Sequence, residues 1–214
     1  MKYIDLKSYG ATLNGSGIGD SDALQNAVND INSGVAGTSH IYFNGNLTLT
    51  RLPPILDRHY IHGDNIYGSI ISKKYVGGWY LRWDGRPGFS GGGLFDCSIP
   101  TDGYSQGSYM IMLRARADGY APDGFHMENV YLASGIGSNA PFRVLEIIGT
   151  PRSSPLWIRQ ARINNVTLFG AQGGCAAYID GTVDLVTVGF RSYQGAGAYG
   201  QILYTSNNID LKTY

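Results

Sequence analysis

Glutamate is almost missing from this chain: it occurs only at Glu128 and Glu146. Charge of either sign is sparse, at 15% of residues, and Lys+Arg (16) equals Asp+Glu (16). A net charge of zero leaves no bulk electrostatic footprint for nucleic acid. Cysteine is limited to Cys97 and Cys175. Two cysteines without a CxxC spacing make neither a disulfide framework nor a thiolate metal site, so both are expected as reduced, buried thiols. No apolar run approaches the roughly 18 residues that a membrane-crossing helix needs, so no membrane insertion is expected. Met1 leads straight into a strand-like run without a basic and then apolar leader, which predicts no classical signal peptide. The expectation is synthesis in a cytoplasm, with any export as part of a larger particle.

What the chain does have is 31 glycines and 16 tyrosines in 214 residues. That composition fits an all-β protein with many tight turns and excludes a helical bundle or a disordered chain. No linker-like stretch divides it, so one domain is expected. One helix stands out. Leu24, Ala27, Val28 and Ile31 fall on one stripe at helical period, which predicts a helix from Ser21 to Ser33. Asp20 or Ser21 is placed to cap it, Asp22 lies in its first turn, and Gly34 follows its end. Such a short amphipathic helix needs an apolar surface to cover.

The remainder reads as short strands and turns. Ile41-Tyr-Phe43 and Leu47-Thr-Leu49 flank an Asn44-Gly45-Asn46 turn, and Pro53-Pro54 prevents a central strand there. His40, His59 and His62 match no zinc spacing, and no metal or other cofactor is expected. A phrase then recurs: Glu128-Asn-Val-Tyr-Leu132, Asn164-Asn-Val-Thr-Leu168, Asp184-Leu-Val-Thr-Val188 and Asn207-Asn-Ile-Asp-Leu211, with a weaker copy at Asp96-Cys-Ser-Ile99. The steps from Ile99 to Val130, Val166, Val186 and Ile209 are 31, 36, 20 and 23 residues. Repeated β-phrases at such intervals predict a solenoid. Val130, Val166, Val186 and Ile209 would form one inward ladder, and Leu132, Leu168, Val188 and Leu211 a second. Asn129, Asn165 and Asn208 would stack at a corner, where left-handed geometry suits Asn. A β-sandwich also produces alternating runs of this kind.

The first fifty residues carry a family resemblance. Tyr3-Ile-Asp-Leu6, Tyr9-Gly10-Ala11, a Gly-rich loop ending Asp20-Ser21-Asp22, the helix, and the Phe43-Asn44-Gly45 turn before Leu47-Thr-Leu49 resemble the N-terminal cap of phage tailspikes and other pectate-lyase-like proteins. Phe43-Asn44-Gly45 stands where that family usually has Pro-x-Gly. The resemblance covers about a quarter of the chain. It implies a right-handed parallel β-helix with an N-terminal capping α-helix, residues 1–50 forming the cap and first coil and residues 51–214 the coils. It also implies a parallel homotrimer, which would cover the last coil at Tyr214.

Two stretches invite chemistry. In Trp79-Tyr-Leu-Arg-Trp-Asp84, an inward Leu81 would put Tyr80, Arg82 and Asp84 outward, with Trp79 and Trp83 at the core or its edge. An aromatic plate beside an Arg and a carboxylate suits a sugar ring. The same residues also read as core fillers with a solvated ion pair. In the second stretch, Arg114, Arg116 and Asp118 would project from one strand, and Asp123, His126 and Glu128 follow. Two carboxylates near each other would suit glycoside hydrolysis, and a base beside arginines a lyase; Asp-Gly and Pro-Asp-Gly are equally ordinary turns. Arg82, Arg114, Arg143, Arg159, Arg162 and Arg191 would together make a lateral stripe for an anionic glycan, or pair with Asp on neighbouring coils. Gly15-Ser-Gly17-Ile-Gly19-Asp20 lacks the ending of a phosphate loop and reads as a path onto the helix.

With the resemblance, these residues point to a virion-associated tailspike-like protein, exposed outside the cell on the particle, that recognises a host-surface glycan. Other virion tail proteins are the further expected partners. The alternatives are a polysaccharide hydrolase or lyase of the same fold, and a structural tail or capsid component that touches no sugar.

Overall fold

A three-residue phrase recurs that is shorter than the one above: Tyr3-Ile-Asp5, His40-Ile-Tyr42, Tyr60-Ile-His62, Gly93-Leu-Phe95, His126-Met-Glu128, Arg162-Ile-Asn164 and Val186-Thr-Val188. In a strand, the central residue of such a triplet points opposite to its two flanks. The computed structural model, which describes residues 2–33, 39–85, 91–100, 104, 108–116, 121–133, 143–149, 158–169, 176–193, 202–205, 208 and 210–214, sets these triplets side by side.

Among the described residues the chain is mostly β-structure with a single α-helix, α1 (Asp20–Ser33). The strands run β1 (Lys2–Asp5), β2 (Ser39–Tyr42), β3 (Gly45–Leu49), β4 (His59–His62), β5 (Ser69–Lys73) and β6 (Trp79–Asp84). Then come β7 (Gly93–Ile99), β8 (Tyr109–Arg114), β9 (His126–Ala133), β10 (Arg143–Ile148), β11 (Ile158–Arg159) and β12 (Arg162–Phe169). The last are β13 (Ala177–Asp180), β14 (Thr182–Val183), β15 (Val186–Val188), β16 (Arg191–Tyr193), β17 (Ile202–Tyr204) and β18 (Lys212–Thr213). Every pairing of these strands is parallel, which excludes two facing antiparallel layers. An eleven-stranded sheet is ordered β1-β2-β4-β7-β9-β12-β15-β18, with β3, β5 and β16 joining beside it. A second sheet is ordered β17-β13-β10-β8-β6, and β11 pairs with β14.

The triplet centres form one inward row: Ile4, Ile41, Ile61, Leu94, Met127, Ile163 and Thr187, all buried. Burial of each large apolar member contributes roughly 1.5–3 kcal/mol relative to exposure. A second row, Cys97-Val130-Val166, and a third, Ile99-Leu132-Leu168, lie further along the same strands. Those parts of the expected ladders are present. Val186 and Val188 are not in them. Val186 pairs with Arg162 and Val188 with Asn164, so Thr187 is the inward residue and Val188 is exposed. The reason is a bend at Asn165, whose left-handed φ of 48° resets the in–out alternation between Ile163 and Val166. The phrase Asp184–Val188 lies beside the first half of β12, before that bend, and β16 takes the second half. Ile209 and Asn207 lie outside the described residues, as does Cys175; Cys97 is a buried free thiol.

The bend itself is a stack. Asp96, Asn129 and Asn165 have φ of 52°, 52° and 48°. The Asn165 amide donates to Asn129 Oδ1 at 2.8 Å, and the Asn129 amide donates to Asp96 Oδ1 at 2.9 Å. Asn208, expected in this row, instead uses its side chain to bind Thr182 and the Ile179 carbonyl. Its own strand neighbourhood is set by Asp210, the left-handed residue two positions before β18.

The helix stripe is buried as expected, with Ala23, Leu24, Ala27, Val28 and Ile31 against β3 and a 3₁₀ turn at Leu6–Tyr9. Asp20 and Ser21 do not serve as the expected caps. The Asp20 carboxylate is fully buried and accepts the N–H groups of Thr12 (2.8 Å), Leu13 (3.1 Å) and Thr48 (2.9 Å), plus the Thr12 hydroxyl (3.2 Å). Ser21 Oγ accepts the Thr50 N–H at 2.8 Å. These side chains fasten the helix to the loop and strand that it covers. The Ala23 N–H is taken by the Gly19 carbonyl.

Removing a buried carboxylate with this many donors strands several N–H groups at once. Asp20→Ala is expected to lower unfolding free energy by about 3–5 kcal/mol, read as a fall in urea midpoint by circular dichroism. Ser21→Ala, which strands one N–H, is expected to cost about 1 kcal/mol.

Candidate functional site

The flanks of each triplet face outward and make two rows along the sheet. One runs Tyr3, His40, Tyr60, Gly93, His126, Arg162 and Val186; the other runs Asp5, Tyr42, His62, Phe95, Glu128, Asn164 and Val188. Parallel strands bring like positions within one strand spacing, about 4.8 Å, so flat rings there stack. Tyr3 stacks on His40 (5.2 Å), His40 on Tyr60 and on His62 (4.9 Å each), Tyr42 on His62 (4.7 Å) and His62 on Phe95 (4.6 Å). Stacked rings cover one another's faces and offer mainly edges to water.

Gly93 breaks the first row. A Cβ there would crowd the His126 carbonyl and lie 2.8 Å from Phe95 and 3.1 Å from Tyr60. The space that a side chain would need at Gly93 is already filled, and a groove of about 580 Å³ lies nearby, lined by Tyr60, His126, Gln160, Arg162, Asp184 and Val186. Gly124 and Phe125 complete its lining, and Phe125 packs edge-on against the buried Trp83 at 5.2 Å. One rim is a second left-handed stack: Gly91 (φ 102°), Gly124 (71°), Gln160 (55°) and Asp184 (55°), each two positions before the first outward residue of its strand. Non-glycine residues in this region carry roughly 1–3 kcal/mol of strain each, and such positions cluster at binding sites. Gln160 and Asp184 both line the groove.

His126 sits inside it. Its Nε2 is 3.2 Å from Glu128 Oε2 and 3.3 Å from Asn164 Nδ2, and its ring meets the edge of Phe95 at 5.0 Å. Burial lowers the His126 pKa, Glu128 opposes that shift, and the Arg162 charge adds to it. A neutral imidazole at pH 7 follows; it accepts from Asn164 on Nε2, or donates to Glu128 when that nitrogen carries the proton. Tyr60, His126, Gln160, Arg162 and Asp184 thus place a ring and several hydrogen-bonding groups around one open space. No group of three or more His, Cys, Asp or Glu able to hold a metal ion occurs among the described residues.

The Trp79–Asp84 stretch lies on the other sheet and corrects its expected orientation. Leu81 and Trp83 point inward, but Tyr80 is fully buried too, beside Lys73 Nζ, which lies 4.8 Å from its ring centre and 2.5 Å from Ser108 Oγ. Trp83 is a core pillar, its indole N–H donating to the His59 carbonyl at 2.9 Å. Asp84 is buried and accepts from Arg82 Nε (2.7 Å) and Nη2 (2.8 Å), while Arg82 lies over the half-buried Trp79. Tyr80 and Trp83 offer no face to a ligand, because the outward side of β6 is itself covered.

The carboxylate cluster is also dispersed. Arg114 is engaged by the buried Glu146 at 2.7 Å, and Arg143 binds the other Glu146 oxygen. Asp123 uses Oδ1 to accept the Arg159 N–H at 3.0 Å, the turn role. Arg116 is exposed, and Asp118 lies outside the described residues. Among the described residues of that cluster, Glu128 meets a groove side chain, His126. The arginines do not form one stripe: Arg82, Arg114 and Arg143 are on β6, β8 and β10, whereas Arg162 is on β12. Tyr60, Gln160 and Asp184 were not anticipated in the site. The signal for Tyr60 was present as the recurring aliphatic-centred triplet, and Asp184 carried the weak signal of a residue type that tolerates left-handed geometry; nothing in its residue type marks Gln160.

No protein-family model matches this sequence, and no curated protein sequence does. Among solved structures, the chain is similar to the A-module of the mannuronan C-5 epimerase AlgE6 of Azotobacter vinelandii, at 14% identity over 90% of this chain and 57% of that one, with a TM-score of 0.51. It is also similar to ORF18 of Geobacillus virus E2, at 13% identity over 89% of this chain and 42% of that one, with a TM-score of 0.53. The likeness is one of fold. This chain spans little more than half of the first and less than half of the second.

Because Trp83 is a core residue and Arg82 a surface one, their losses separate. Trp83→Ala is expected to cost about 3–5 kcal/mol in urea unfolding, and Arg82→Ala, which strands the mostly buried Asp84, about 1–3 kcal/mol.

Proposed function

We propose that this chain is a virion-associated polysaccharide-binding protein and that its glycan site is the groove lined by Tyr60, His126 and Arg162. The observation that carries this is the placement of Tyr60, His126, Gln160, Arg162 and Asp184 around one open space. A sugar offers an apolar C–H face and a rim of hydroxyls; a tyrosine ring and paired polar groups answer both. The mannuronan epimerase and the phage protein among the similar folds support a polysaccharide ligand and a phage setting. The strand order is best accounted for by a right-handed parallel β-helix in which the chain visits the sheets in turn, with residues 1–50 as its capped first coil. In this reading the protein works as a homotrimer beside other tail proteins, outside the cell on the particle.

A second reading, an enzyme on the same polymer, is favoured by one observation: His126 and Glu128 lie 3.2 Å apart at the groove. An imidazole oriented by a carboxylate is equipped to take or give a proton at a bound sugar.

The test is retention on immobilised capsular, O-antigen and polyuronate polymers. Arg162→Ala and Tyr60→Ala are expected to weaken binding about tenfold or more, and Arg116→Ala, remote from the groove lining, to leave it unchanged. Retention lost with Arg116→Ala but kept with Arg162→Ala would move the site elsewhere. Release of reducing ends or unsaturated product, abolished by His126→Ala, would select the enzyme.

A further inference from the structure

The groove's two aromatic neighbours share one support. Tyr60 stacks on His40, and Phe95 stacks on His62 at 4.6 Å before meeting His126 by its edge at 5.0 Å. His40 and His62 are themselves stacked at 4.9 Å, with His40 Nδ1 2.7 Å from His62 Nε2. At that distance one nitrogen donates and the other accepts, so the pair is satisfied with at most one of these two nitrogens protonated. Two protons would put two positive rings in contact across a few ångströms, in a half-buried place where water screens them poorly.

We propose that the His40–His62 couple is an acid-operated latch on this groove: when both rings carry a proton they repel, the stack parts, Tyr60 and Phe95 lose their support, and glycan affinity falls. The proposal rests on the groove being the glycan site. The groups that face the couple are Tyr3 on β1, Tyr42 beside His40 on β2, Tyr60 beside His62 on β4, and Asp96 on β7. The chain's amino-terminal charge also acts on His40. Of these groups, the Asp96 carboxylate favours protonation of His62. It does not prevail. Burial, and then the His40 charge, push the His62 pKa from the ordinary 6.5 down to about 4, and burial lowers that of His40 as well. The sign follows from these depressed values. An opened stack binds protons more readily than a closed one, so the closed form is fully favoured above about pH 6.5 and loses that preference as pH falls toward 4.

The experiment compares the wild-type protein with His62→Phe, which keeps a ring in the stack but cannot take a charge, by calorimetric titration with the retained polymer at about pH 7 and about pH 4. His126 titrates in both proteins, so the difference between them reads the couple alone. The wild-type affinity is expected to fall about tenfold more than that of His62→Phe. Equal falls overturn the latch and leave the glycan reading standing. If neither protein retains any polymer at pH 7, the glycan reading fails. The latch is then decided by hydrogen exchange in β2, β4 and β7: exchange accelerated by acid in the wild type but not in His62→Phe supports it, and the same acceleration in both overturns it. Should His62→Phe fail to fold, His40→Phe removes the same charge from the other ring.

Discussion

Parallel strands can slide past one another by two residues without turning a side chain over, so something must fix where each one stops. Here it is the burial of a single aliphatic or similarly inward residue at the centre of each triplet. Ile4, Ile41, Ile61, Leu94, Met127 and Ile163 pair directly, one per strand. Sliding by one residue would expose the entire row and bury its ionic and aromatic flanks. Once that row is pinned, the outward positions are pinned with it. The ring stack, the Gly93 gap and the His126–Glu128 contact all follow from the register rather than from any attraction of their own.

A second constraint shapes the site. Left-handed residues occur in two stacks. The Asp96-Asn129-Asn165 stack is cross-linked by side-chain amides and lies where the strands bend. The Gly91-Gly124-Gln160-Asp184 stack precedes the outward rows and rims the groove. The first stack satisfies its own polar groups. The second points Gln160 and Asp184 at an open space, which is what distinguishes a structural corner from one that can meet a ligand. At the other end of the chain, Asp20 performs a purely structural task with the strongest hydrogen-bonding group in the cap.

Much of the fold was legible because burial has a period. The helix stripe is read correctly to within one residue, and Val130-Val166 and Leu132-Leu168 align as their phrases predict. The failures have physical causes. Asn165 bends its strand and resets the alternation, so Val186 looks like a rung continuing Val166 but lies outside it. Tyr80 obeys the alternation that puts it opposite Leu81, yet alternation says which side a residue takes and not whether that side is covered. Glu146 and Arg114 are 32 residues apart and meet only because β8 and β10 are neighbours. The site was least legible of all, because Tyr60, His126, Gln160, Arg162 and Asp184 come from distant parts of the chain and meet only when their strands are aligned.

The triplet separates two jobs that most surface strands combine. Its middle residue holds position, and its flanks are spent on contact with the outside. Within each outward row every flank comes from a different strand, and neighbouring members lie some 20 to 37 residues apart in the chain. A point change at one flank therefore alters the outer surface locally and leaves the inward row that sets the register in place. A protein built this way can have its recognition surface rewritten one letter at a time while the scaffold underneath goes on folding as before.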